Sequence, residues 1–342
     1  MKGFAKQHPV LTYWLISVLL AGILIPIGLM VLDLYPTAFD EMLESAGGKL
    51  TTNILYEFPR VLGVKGGVAI FLFYISQPAT PLIAAFITAL LIGRESVRDL
   101  VLRFRFWSKE VGWKRGTLIW LTAIATIVVV NLGIAWLAYM NRSPSVWPDY
   151  KLTVDLRSPT FWFLFLTSLF FDGGGLLEET GWRGFLLPRL QKTYSPLTAA
   201  IGVGVLHSLW HIPVNTDILL SSLPRFVFFY IVFTLHCILI SVIISYFYNR
   251  LGGSTLIAIA LHGLLNDSFG ITGFCGVGGN ISQQASQIYE LLDLVPLLVV
   301  VFIILWRDGA WVGITFPGVP RAPHPPRRGS RSNHENRLLQ LE

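Results

Sequence analysis

The sequence predicts an all-α fold, a polytopic membrane bundle of about eight transmembrane helices, and three observations predict it. Apolar residues make up 53% of the 342 and charged residues 13%, a balance far from that of soluble domains. Several apolar runs reach the roughly 20 residues needed to cross about 30 Å of hydrocarbon. Lys and Arg concentrate in alternate connections between those runs.

In chain order the spans are expected at about 10–32, 66–92, 117–139, 160–177, 197–212, 226–248, 255–269 and 288–306. Lys2 and Lys6 precede the first, a run from Val10 to about Leu32. It exceeds the roughly 7 to 15 residues of a signal-peptide core, so a retained signal anchor is expected. Pro78 and Pro81 should kink or split the second span, since each removes a backbone donor. The fourth, fifth and seventh are short and interrupted by Gly and polar residues, the pattern of helices shielded by neighbours and lining a cavity. Val97, Leu100, Val101 and Phe104 recur at helical spacing among Arg94, Arg98 and Arg105. That stretch reads equally as an amphipathic helix on the inner leaflet or as a charged loop.

The formal charge of +6 is spread over short connections and the last segment without a continuous stripe, so membrane lipid is the expected acidic partner and nucleic acid is not. Inner connections hold Lys2, Lys6, the cluster from Arg94 to Arg115, Arg183, Arg189, Lys192, Arg250 and the tail arginines. Outer ones keep Lys49, Arg60, Lys65, Arg142, Lys151, Arg157 and Arg225. The asymmetry places both termini in the cytoplasm for an even number of spans. Cys237 and Cys275 are too few for a disulfide framework or a Cys-rich metal cluster.

An ionisable residue at membrane depth costs at least about 2.5 kcal/mol on insertion scales, so a cluster of them needs a strong reason. Three successive apolar segments each carry a polar pair four residues apart: Glu179 with Arg183, His207 with His211, and His262 with Asn266. Four residues is about one helical turn, which puts each pair on one face. Glu178 and Glu179 point about 100° apart and must meet different partners. Glu179 can pair with Arg183, leaving Glu178 to accept a proton from water. Taken alone, these three charges read equally as an interfacial cluster; the histidines shift the balance. His211 stands before Ile212 and Pro213, where a helix must end and an imidazole can face a cavity. Asn266 brings amide donors suited to an oxyanion or a peptide. His236, isolated in its span, reads as a packing residue. Asp172 and Gly173–Gly175 read as a helix break ahead of the Glu segment.

The run EETGWR resembles the EExxxR motif, LWHIP the end of the FxxxH motif and HGLLN the HxxxN motif of the type II CAAX prenyl endopeptidases. These belong to the CPBP or ABI-type intramembrane protease family, which also includes proteins related to bacteriocin self-immunity. The resemblance covers roughly residues 160–270. It implies an eight-helix bundle with a cavity open to the cytoplasmic side and the bilayer, and a membrane-associated or prenylated peptide as substrate; in a bacterium the membrane would be the cell membrane. It also implies that Glu178 and His211 activate water, that Glu179 and Arg183 support them, and that His262 and Asn266 bind the oxyanion. His207 departs from the pattern, standing where the motif has an aromatic residue: a partner fixing the tautomer of His211, or a tolerated replacement. No cofactor is expected, because a carboxylate and an imidazole can activate water unaided and the HExxH motif is absent. Members of the family are sometimes described as metalloproteases, and a divalent metal such as zinc would draw on Glu178, His207, His211 and His262.

Three units follow: N-terminal spans with the amphipathic segment over 1–159, the catalytic unit over 160–312, and a disordered basic cytoplasmic tail over 313–342. The same fold used as a noncatalytic immunity or scaffolding factor is the rival from another class. A proton-relay transporter fits less well, because the charges concentrate in one half with no matching inverted repeat.

Overall fold

The computed structural model describes residues 2–45, 51–140, 156–266 and 283–314; the expected tail beyond Ile314 and Cys275 lie outside them. Among the described residues the regular structure is helical, and a lone antiparallel bridge joins Asn53 to Asp172. The order is α1 (Lys2–Gln7), α2 (Pro9–Leu34), α3 (Ala38–Ser45), α4 (Ile54–Val61), α5 (Gly67–Ile92), α6 (Arg94–Leu102), α7 (Trp113–Met140), α8 (Pro159–Phe171) and α9 (Gly173–Glu179). A π-helical turn (Thr180–Leu186) then leads to α10 (Leu187–Leu190), α11 (Pro196–Trp210), α12 (Thr216–Ser221), α13 (Leu223–Arg250), α14 (Thr255–Asn266) and α15 (Gln283–Asp308). The all-α class is as the composition requires.

Among the described residues four helices are long and apolar enough to cross a bilayer: α2, α5, α7 over Trp113–Leu137, and α13. A fifth arises if α11 and Pro213–Ser221, bent by 41°, form one span. Helices α8 and α14 are apolar but short; 13 residues rise only about 20 Å, too little to cross alone. Length and composition therefore support fewer independent crossings than the eight expected. Leu19 and Met30 on α2 and Phe302 and Trp306 on α15 project outward, an apolar exterior matched to lipid. The chain is an integral membrane protein.

Local chemistry explains where helices start and break. Pro occupies the first turn of α2, α8, α11 and α13, where its missing N–H costs nothing. Ser195 and Ser222 cap α11 and α13 by accepting from the N–H groups of Thr198 and Arg225. The second span is not split at Pro78 and Pro81: α5 runs through both. Pro81 cannot donate to the carbonyl of Gln77, but the Thr80 hydroxyl does so at 3.0 Å. The fourth span, expected to run through 177, instead ends at Asp172, whose extended backbone opens α9. Residues 94–102 are helical, with Leu100 fully buried against the core and Val101 exposed.

Helix α2 packs on α5, α11 on α13, and α14 on both α8 and α9. The core around Trp182, Phe185, Ile243 and Ile244 is continuous with the polar cluster described next. Trp210 donates to Thr80 Oγ1 at 3.0 Å and Asn131 to the Leu264 carbonyl at 3.0 Å, fixing the ends of α11 and α14 against α5 and α7.

Candidate active site

Asp172 caps α9, accepting from the Gly175 N–H, and starts the segment that carries both glutamates. The backbone widens into the π-helical turn directly after Glu179, a feature often found where side chains must be re-aimed. Every residue from Glu178 to Leu187 is buried.

The two adjacent carboxylates diverge as their 100° step requires. Glu178 Oε2 lies 2.9 Å from His207 Nε2. Glu179 Oε1 receives Arg183 Nη1 at 2.5 Å and His262 Nδ1 at 2.8 Å. His211 is the C-cap of α11; its ring stacks on His207 with centroids 5.1 Å apart and meets the edge of Phe233. His207 also stacks on Trp182, so an imidazole occupies the flat slot an aromatic ring would fill. Asn266 donates through Nδ2 to Asp172 Oδ1 at 3.0 Å.

All six expected site residues, Glu178, Glu179, Arg183, His211, His262 and Asn266, line one cavity of about 740 Å³, and so does His207. Its walls include Ile25, Phe73 and Phe233 from α2, α5 and α13, so polar groups converge on one side of an otherwise apolar chamber. The pairings refine the sequence-based picture in two ways. His207 bonds Glu178 rather than the ring of His211. His262 and Asn266 each already hold a carboxylate, Glu179 and Asp172 respectively, instead of standing free.

Helix α14 can approach α9 this closely because of two glycines. An added Cβ on Gly174 would fall 2.5 Å from Asn266 Nδ2 and 3.4 Å from His262 Nε2, so both nitrogens converge on its vacant position. One on Gly175 would fall 2.6 Å from the Ile259 carbonyl oxygen.

A metal fits part of the expected ligand set. One ligand atom each from Glu178, His207 and His211 lie within 4.8 Å of one another, and one oxygen with two imidazole nitrogens suits zinc. His262 stands outside that group, its Nδ1 committed to Glu179.

Sequence reasoning missed two partnerships. His236 is not isolated: Nδ1 lies 2.6 Å from Asp293 Oδ2 on α15, and both line the cavity. Thr52, from the connection before α4, donates to Asp172. No local spacing encodes either contact; an ionisable residue inside each of two apolar runs was the available signal for the first.

Comparison with known proteins agrees with the motifs. Residues 158–267 match the family described as type II CAAX prenyl endopeptidase Rce1-like. The CAAX prenyl protease 2 of Methanococcus maripaludis is 31% identical over 111 residues, which is 32% of this chain and 38% of that relative. The chain thus spans well under half the length of the curated relative it matches. The matched stretch contains every expected site residue.

Proposed function

We propose that the chain is an intramembrane endopeptidase that hydrolyses a peptide bond near the membrane surface, with prenylated CAAX-type peptides as its substrate class. The observation that carries this reading is the placement of Glu178. Its carboxylate is buried in a cavity among apolar helices, hydrogen-bonded to His207 and grouped with His211. The match of residues 158–267 to the prenyl endopeptidase family supports the reaction and the substrate class.

In this reading Glu178 takes a proton from a water molecule that His211 helps to hold, and the resulting hydroxide attacks the scissile carbonyl carbon. Negative charge gathers on the former carbonyl oxygen, where His262 and Asn266 supply donors; their nitrogens converge beside Gly174. The C–N bond then breaks as Glu178 returns the proton to the leaving amine. Arg183 and His262 share Glu179, which keeps that buried carboxylate paired and holds α9 against α14. The apolar walls would take up the lipid part of a substrate entering from the inner leaflet; the Lys and Arg asymmetry of the sequence supports a reading with both termini and the cavity mouth on the cytoplasmic side.

The test is direct. Purified protein in detergent, given a farnesylated peptide ending in a CAAX sequence, should release the C-terminal tripeptide, read by mass spectrometry. Glu178→Ala and His211→Ala should each abolish release while the protein remains inserted and folded. Normal turnover by both variants rejects the mechanism.

A metal-dependent version of the same reaction is the second reading, favoured by the grouping of Glu178, His207 and His211. A divalent ion there would supply Lewis-acid activation of water. In that case the three side chains serve as its ligands, and the apolar walls and the donors near Gly174 keep the roles given above.

A further inference from the structure

Asp172 is fully buried, and its bonds reach three separate parts of the fold. Oδ1 accepts from the Gly175 N–H at 2.5 Å and from Asn266 Nδ2 at 3.0 Å, while Oδ2 accepts from the Thr52 hydroxyl. Capping α9 needs only the first of these. The other two require a separate reason, because a buried carboxylate could have been satisfied by its own helix turn.

Thr52 belongs to the connection ahead of α4, far outside residues 158–267, and that connection is stitched onto the end of α8. Gly173 N donates to the Thr52 carbonyl at 2.8 Å, Asn53 pairs with Asp172, and Asn53 Nδ2 donates to Thr167 Oγ1 at 2.7 Å and Ser168 Oγ at 3.3 Å. The carboxylate is thereby held in one orientation from outside the matched unit.

A carboxylate can only accept, so the carboxamide of Asn266 must turn its NH2 group toward Asp172. That group is planar with two hydrogens about 120° apart; fixing one on Asp172 fixes the direction of the other. We infer that Asp172, braced by Thr52, is a positioning residue that sets the amide orientation of Asn266 and aims its second N–H into the cavity. The Thr51–Asn53 connection is then a working part of the site. This rests on the reading of Asn266 as a donor to the reacting carbonyl.

The experiment uses the full chain in detergent with a farnesylated CAAX peptide. Thr52→Val, which keeps shape but removes the hydroxyl, should lower kcat about tenfold with KM within about twofold, the size of one lost polar contact at a catalytic donor. Thr52→Ser should restore kcat. In an Asn266→Ala background, Thr52→Val should have no further effect, because the residue it acts through is gone. Equal losses in both backgrounds, or wild-type kcat in Thr52→Val, overturn the proposal. A second readout needs no turnover: with 15N-asparagine labelling, the Asn266 side-chain amide signal, assigned by its absence in Asn266→Ala, should move in Thr52→Val and stay in Thr52→Ser. An unmoved signal in Thr52→Val sinks the brace whatever the enzyme cleaves. A wild type that cleaves nothing while the signal moves sinks the hydrolase reading and leaves the brace standing.

Discussion

His262 Nδ1 lies 2.8 Å from Glu179 Oε1, the oxygen that also receives Arg183. Because a carboxylate only accepts, Nδ1 carries a proton, and Nε2 can donate to an oxyanion only if the ring is an imidazolium. The charge on Glu179 favours that form. Glu179→Gln keeps the shape and removes the charge, so it should lower kcat by about a hundredfold or more, the usual cost of one oxyanion donor, with little change in KM. Steady-state kinetics on a prenylated peptide checks this. An unchanged kcat would mean that His262 does not serve the oxyanion.

How much of this was legible beforehand varies by residue. The pairs at Glu179–Arg183, His207–His211 and His262–Asn266 were visible because one helical turn is a local property, and all of them line the same cavity. The bond from Glu178 to His207 joins α9 to α11 and depends on packing, so spacing alone left the partner of Glu178 open. The π-helical turn was invisible for the same reason: nothing in TGWRGFL distinguishes it from an α-helical turn until its neighbours fix the backbone. Length and composition among the described residues support four or five crossings of the eight expected, and the short helices α8 and α14 are where the two readings part, since hydrophobicity reports burial in protein as readily as burial in lipid. The Thr52–Asp172 contact crosses 120 residues and no periodicity could have found it.

His207→Phe places an aromatic residue where the matching motif has one, keeping the stack on Trp182 while deleting the bond to Glu178. A hydrogen bond to a charged group contributes about 1.5–3 kcal/mol, so kcat/KM should fall between about ten- and a hundredfold rather than vanish. The same variant separates the two versions of the reaction. On the metal-free reading, a chelator leaves wild-type cleavage intact and purified protein carries no stoichiometric zinc. Loss of cleavage on chelation, with recovery on adding zinc and failure of His207→Phe to bind it, transfers the assignment to the metal-dependent version.

Gly174→Ala tests whether the convergence of His262 and Asn266 on one point matters. The added methyl would crowd Asn266 Nδ2 at 2.5 Å and stand where the two nitrogens meet. Overpacking of this kind costs about 1–3 kcal/mol, within reach of a protein that still folds. Cleavage should fall by about a hundredfold or more while the melting temperature drops only a few degrees. Full activity with an intact fold would place the oxyanion elsewhere.

Glu57, on α4 and outside the spans, links stability to pH through the connection that reaches Asp172. It is buried; Oε1 accepts from the Thr51 N–H at 2.9 Å, and Oε2 has no partner among the described residues. Burial pushes its carboxyl above the ordinary carboxylate value, against the opposing pull of the Thr51 N–H and Arg60. An acid raised in the folded state favours folding in its protonated form. Its contribution is complete below the unfolded value of about 4.3 and is lost as pH rises through the higher folded value. Glu57→Gln fixes a neutral group at every pH. The melting temperature of the variant should therefore match wild type near about pH 4 and exceed it near about pH 7, read by thermal unfolding in detergent across that range. If wild type instead gains on the variant as pH rises, Arg60 outweighs burial and the carboxylate is the form the fold prefers.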